Sequence, residues 1–203
     1  MSNLTFCFRI QYQLFDKFNK IINEDLEPYN HYKKVHDNIP PWILLKGTTF
    51  GNLVNFYKLL KSEEKISVIS ICLGLESRFI TESIKKLFAE SLNLIHSYRN
   101  RAAHSGRMFS YKSKKKMGYN EIFHERMEVA LSDYNEGKGQ TGLYTLTTAL
   151  ELFQNNRANF LLEFSIYYNA KRHCKSYPND LQLLCKETEI EIEVFEKKFA
   201  SYD

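Results

Sequence analysis

The sequence predicts an all-α fold, a helical bundle, on three observations. Apolar residues recur three and four positions apart along most of the 203-residue chain. Only 8 Gly and 4 Pro occur, too few for many short strands and tight turns. The composition is 43% hydrophobic and 14% aromatic, enough to bury the core of a single domain over residues 1–203.

The elements follow in order. Leu4 to Ile22 carries Phe, Ile and Leu at helical spacing and reads as a first helix, although the alternation in FCFRIQYQ also fits a strand. Pro40-Pro41 forces extended backbone, so NIPPWILLKGTTFG reads as a rigid connector with Trp42 anchored in the core. Thr48 or Thr49 is placed to cap a helix over Phe50 to Leu60. A short helix through Ile66 to Leu73 precedes a long one from about Glu76 to Ser105. The apolar stripe of the long helix is Ile80, Ile84, Leu87, Phe88, Leu92, Ile95 and Ala102, and Ser105-Gly106 is its stop. Lys112 to Met117 is a lysine-rich loop. Further helices are expected over Asn120 to Tyr134, over Leu143 to Tyr168 and after Pro178, with NEGKGQTG as a flexible turn.

Charge is unevenly placed. The formal net charge is only +4, yet Arg99 to Lys116 holds seven Lys or Arg and no Asp or Glu. Glu187 to Glu196 holds five Glu and no base, and reads as a solvated face or as a cover over a basic groove, its own or a neighbour's. The four cysteines (Cys7, Cys72, Cys174, Cys185) form no C-x-x-C pair, so free thiols are expected and neither a zinc site nor a disulfide framework is. No apolar run approaches the ~20 residues of a membrane span. The N-terminus has no signal-peptide pattern, which predicts a cytoplasmic protein without membrane contact.

The chemistry concentrates in YRNRAAHSGR, residues 98–107. His is the side chain poised to move a proton near neutral pH, and Arg offers fixed charge in a bidentate fork for phosphate. Together they suit RNA cleavage, in which the 2′-hydroxyl attacks the adjacent phosphorus and negative charge builds on the phosphorane. The competing reading is a solvated, basic helix end that carries no chemistry. Arg99 and His104 diverge by about 140° at 100° per residue. One straight helix cannot aim both at one phosphate, so a bend near Ala102-Ala103 or a second copy of the chain is required. Arg99 lies at the flank of the expected apolar stripe and needs a partner such as Glu76 or a carbonyl.

The ordered set of Pro40, Pro41 and Trp42, then Thr49, Phe50, Gly51 and Leu53, then Arg99, Asn100, Ala103, His104 and Arg107 resembles the abortive-infection (Abi) phage-resistance family. That family pairs a P-x-W segment, a T/S-F-G-x-L helix start and an R-N-x-x-A-H-x-x-R motif. The Arg-Asn-three-residues-His core also resembles the signature of the HEPN superfamily. The resemblance spans about residues 29–112, with further helices over 113–203. It implies a HEPN-like helical bundle with additional C-terminal helices, dimerising so that two motifs share a cleft, and metal-independent endoribonuclease activity without a cofactor. On this chain His104 would be the general acid or base, Arg99 the phosphate-positioning group and Asn100 the support of His104. Arg107 would be an outer phosphate contact, and Pro41, Trp42, Phe50 and Gly51 would be structural. The basic block itself, with Arg101, Lys112, Lys114, Lys115 and Lys116, reads as RNA contact that does not depend on sequence or as a solvated loop. An antitoxin or regulatory RNA is a further expected partner. The same superfamily includes inactive members, so a non-catalytic RNA-binding or partner-binding module is the alternative function.

Other motifs carry less. GKGQTG lacks the order of a phosphate-binding loop and no strand precedes it. His173-Cys174 has no second ligand pair nearby in sequence.

Overall fold

Helical spacing becomes helix throughout: the computed structural model describes residues 3–200, with side chains from Phe8 onward, and no strand occurs among them. The side chain of Cys7 lies outside the described residues. The chain divides into two compact units, one ending at Lys65 and one beginning at Ile66.

In the first unit, α1 (Asn3–Asn23) is a helix from its start, so the strand alternative is excluded. It buries Leu14, Phe18 and Ile21 at i, i+4 and i+7. Phe18 meets the edge of Phe56, with ring centroids 6.0 Å apart, on α4 (Phe50–Leu59). Thr49 caps α4 as expected: its hydroxyl accepts from the Asn52 backbone N–H at 3.2 Å. Between them lie α2 (Tyr29–His36) and α3 (Pro41–Lys46). The expected rigid connector is therefore half right. Pro40 is extended (φ −58°, ψ 144°), but Pro41 opens a helix, because a first-turn N–H has no partner to lose. Helical winding of this segment half-buries Ile43, Leu44 and Leu45 and turns Trp42 outward. Trp42 is 69% exposed, which corrects its placement in the core. Gly47 admits the Tyr29 side chain: a Cβ there would stand 1.8 Å from Tyr29 Oη.

The division between the units falls within α5 (Ser62–Leu73). In the second unit a 3-10 turn at Ser77–Phe79 leads to α6 (Glu82–Ala103), capped by Thr81 accepting from Ile84 N–H at 3.3 Å. The helix thus begins after Glu76. Its buried side chains are Leu87 and Phe88, then Ser91, Leu94 and Tyr98, which with Leu87 form a ridge spaced four, three and four apart. The expected stripe holds at Ile80, Leu87 and Phe88 and is rotated beyond them: Leu92 and Ile95 flank the ridge half-buried, and Ala102 is exposed. The rotation has a physical cause: two polar side chains on the ridge find partners. Ser91 donates to the Leu87 carbonyl at 2.8 Å, and Tyr98 Oη donates to the carbonyls of Tyr111 (2.7 Å) and Thr141 (3.0 Å). Burial, aided by the nearby charge of Glu189, holds the Tyr98 phenol far above its ordinary pKa.

Two expected long helices are each split. Asn120 to Tyr134 is α7 (Glu121–Arg126) and α8 (Leu131–Asn135), with Glu128 between them at φ 55°. Leu143 to Tyr168 is α9 (Leu143–Glu151) and α10 (Arg157–Ser176). At that break Asn155 Oδ1 accepts from Arg157 N–H at 3.3 Å and Gln154 N–H donates to the Cys72 carbonyl at 2.8 Å. Side-chain and long-range bonds have replaced the helical ladder. After a 3-10 turn at Pro178 come α11 (Leu181–Thr188) and α12 (Ile192–Ala200), separated by Glu189 at φ 61°. α9 packs on α6 and α10, and α12 closes over α10. Leu94, Tyr98, Phe123, Leu146, Tyr167 and Phe195 form the centre of this core. At ~1.5–3 kcal/mol for each fully buried large apolar side chain, that centre fixes the far end of α6.

Candidate functional site

The end of α6 is a Schellman motif. Gly106 N–H donates to the Arg101 carbonyl and Ser105 N–H to the Ala102 carbonyl, both at 2.9 Å. Ser105 takes the left-handed conformation at φ 55°, so the predicted stop falls where Ser105-Gly106 placed it. Arg101 then folds back over Gly106, where a Cβ would lie 2.3 Å from its Nε. That Nε donates to the Arg107 carbonyl at 3.2 Å, and the guanidinium stands 5.4 Å from the Tyr111 ring centroid. Arg101 is thus a brace for the loop as well as a surface charge.

His104 is the C-cap residue itself, exposed at this turn. No hydrogen bond or ion pair among the described residues engages its imidazole. Asn100, expected to support His104, is occupied elsewhere: its Nδ2 lies 2.9 Å from His96 Nε2, and its Oδ1 accepts from Arg99 Nη1 at 3.2 Å. Arg99 is exposed, and the partner it finds is Asn100 rather than Glu76, which pairs with Arg78 at 2.9 Å. α6 runs unbroken through Ala102 and Ala103. No break in the helix falls between Arg99 and the cap at His104, and no hydrogen bond joins the two side chains.

The basic block continues into the loop that begins after Tyr111. Its ends are tied down: Ser113 N–H donates to the Thr141 carbonyl at 3.2 Å and Met117 N–H to the Gln140 carbonyl at 2.9 Å. Between these anchors Lys114, Lys115 and Lys116 are exposed. Lys112 is instead ion-paired with Glu189. Lys138 meets Glu191 at 3.5 Å, so the acidic segment engages two lysines in addition to presenting a solvated face. The expected flexible turn at residues 135–142 is also packed. Gln140 Nε2 donates to the Tyr134 carbonyl at 2.7 Å, and Gly139 O is 3.1 Å from Nε2 of the fully buried His124. Among the described residues no group of three His, Cys, Asp or Glu is arranged to hold a metal ion, and no helix is long and apolar enough to cross a membrane.

The sequence profile of Abi-like proteins matches residues 3–110, just over half of the chain. The chain belongs to the Abi-like protein family. The match takes in the PPW segment, the TFG helix start and the whole of α6 with its cap. No curated protein and no solved structure matches this Abi-like protein significantly.

Two features of the site were not singled out as partners in the sequence. His96 precedes Asn100 by four residues, the spacing at which helical side chains touch, and that spacing was the available signal. His173 pairs with Asp180 at 2.7 Å across the end of α10; a seven-residue separation over a helix end leaves no such periodic mark.

Proposed function

We propose that this Abi-like protein is a metal-independent HEPN endoribonuclease acting in abortive-infection defence, as a homodimer. The observation that carries the reading is His104: an exposed, unpartnered imidazole at a capped helix end, within an Arg-Asn-x-x-x-His sequence of an Abi-like chain. In the reaction the RNA 2′-oxygen forms a bond to phosphorus as the bond from phosphorus to the 5′-oxygen breaks. One imidazole accepts the 2′-hydroxyl proton or donates a proton to the leaving oxygen. Arg99, steadied by Asn100, stabilises the charge on the phosphorane. The divergence of Arg99 and His104 is why a second copy is invoked: His104 of one subunit and Arg99 of the other would meet at a shared cleft. Lys114, Lys115, Lys116 and Arg107 supply affinity for the polyanion that does not depend on sequence. An antitoxin or a regulatory RNA would restrain such an enzyme between infections.

One observation favours a second reading, an RNA-binding module without catalysis: Asn100 bonds to His96 and Arg99 and leaves His104 unoriented. Incubation of single-stranded RNA with the protein in EDTA separates the two. Cleavage by the wild type, lost in His104→Ala with binding retained, supports the enzyme. Binding without cleavage by the wild type supports the module.

A further inference from the structure

Beside the α6 cap, the second unit contains a cavity of about 460 Å³ between the loop after Gly106 and helices α10 and α11. Its walls carry Arg107, Phe109, His173, Asp180, Leu184 and Glu187. The volume falls within the usual range for small-molecule sites. The chemistry of the lining is mixed in an informative way. Phe109 and Leu184 offer apolar faces, two carboxylates offer acceptors, and Arg107 brings one cation. The His173 imidazole is 2.7 Å from Asp180, so Asp180 has a partner, whereas no hydrogen bond or ion pair among the described residues engages the carboxylate of Glu187.

We propose that this cavity is a guanine-nucleotide subsite, with the base inside and its phosphate on Arg107. An apolar and aromatic wall suits the flat face of a base, the way single-stranded RNA is commonly held. A free carboxylate selects among bases. Guanine presents two adjacent donors, N1–H and the 2-amino group, which match the two oxygens of Glu187 in a fork. Adenine, cytosine and uracil place a ring nitrogen or carbonyl acceptor beside their donor, and a carboxylate repels it. Arg107 is three residues beyond His104, so the two Cα atoms are no more than ~11 Å apart. A strand with a guanine seated in the cavity therefore has the exposed imidazole within reach of its neighbouring phosphates. The inference deepens the ribonuclease reading and rests on it for that last step, whereas nucleotide binding itself does not.

The test is titration calorimetry of the full chain with 5′-GMP, 5′-AMP, 5′-CMP and 5′-UMP, and with guanosine. GMP is expected to bind at least tenfold more tightly than the other three. Glu187→Gln should weaken GMP by roughly 10- to 100-fold, the worth of charged hydrogen bonds, and leave AMP unchanged. Arg107→Ala should bring GMP down to the affinity of guanosine while guanosine is unaffected; this second variant reads the phosphate contact independently of Glu187. Equal binding of all four nucleotides, no binding of any, or GMP affinity unaltered in Glu187→Gln overturns the proposal. Selective GMP binding by a protein that never cuts RNA keeps the subsite and removes the nuclease. RNA cleavage by a chain that does not bind GMP removes the subsite alone.

Discussion

The side-chain amide of Asn100 meets Nε2 of His96 at 2.9 Å, one helical turn back along α6. Its other end holds the Arg99 guanidinium at 3.2 Å, so the amide sets the direction of an arginine. Asn100→Ala is therefore expected to act through Arg99. RNA cleavage should fall, but by less than the ~10²–10³ that follows outright loss of a group stabilising developing charge, since Arg99 itself remains. Since His104 is untouched, the pH at which cleavage peaks should stay the same. A pH–rate profile of the variant checks this, and a displaced maximum would assign Asn100 to His104 instead.

His104→Ala is expected to reduce cleavage by a factor of about 10²–10⁴, the usual range for a lost general acid or base. Its RNA affinity should remain within a few-fold of wild type, because under the proposed reading the imidazole would be one of many groups to touch the strand. Gel-shift and cleavage assays on the same preparation make the comparison direct.

Replacing Lys114, Lys115 and Lys116 together with Ala should weaken RNA binding for all sequences alike. The slope of log affinity against log salt should become shallower by about 2, near 0.7 for each single-strand phosphate no longer neutralised. Adding Lys112→Ala should change the slope little, because that side chain already pairs with Glu189.

Tyr98→Phe removes the one donor shared by the carbonyls of Tyr111 and Thr141 while leaving the ring in place. A loss of ~1–3 kcal/mol is expected from the unsatisfied buried acceptors. Urea unfolding would show it as a lower midpoint with an unchanged slope.

Glu151 gives a pH signature. Burial first, then the neighbouring Glu163, raises the carboxyl pKa of Glu151 above its ordinary 4.5. The folded state therefore binds this proton more tightly than the unfolded chain does. The stability it brings is full below 4.5 and fades as pH climbs through the raised value. Glu151→Gln should accordingly stabilise the protein at neutral pH and have little effect in acid. The residue as a whole is exposed and only its carboxyl is partly withdrawn from water, so solvent screening holds the gain to ~0.5 kcal/mol, or about 1–2 °C in melting temperature. Thermal melts of both forms at pH 4 and pH 7 decide it.

Periodicity carried most of the fold because helical spacing is a local property, readable within a few turns. Thr49 and the Ser105-Gly106 stop were legible for the same reason: capping is short-range chemistry. The breaks after Glu151 and around Glu128 were not, since they depend on bonds such as Gln154 to Cys72, distant in sequence. Trp42 misled because a proline pair signals extended chain, while Pro41 here starts a helix. At the site, the helix that underlies the expected divergence of Arg99 and His104 was legible from spacing, and α6 does run through Ala103. The choice of partner by Asn100 was not, because an amide can reach either neighbour and only packing selects one. The cavity beside Arg107 left no trace in sequence, for its walls come from three separate segments.

The two backbone ties that pin Ser113 and Met117 alter what the lysines between them can offer. Charges on a free tail lose conformational entropy when a polyanion orders them, roughly 1–2 kcal/mol for each residue fixed. Here that ordering has already happened during folding, as the chain closed on Thr141 and Gln140. Lys114, Lys115 and Lys116 rise from an anchored main chain in place of a loose tail, and a polyanion laid across them would have only their side chains left to order.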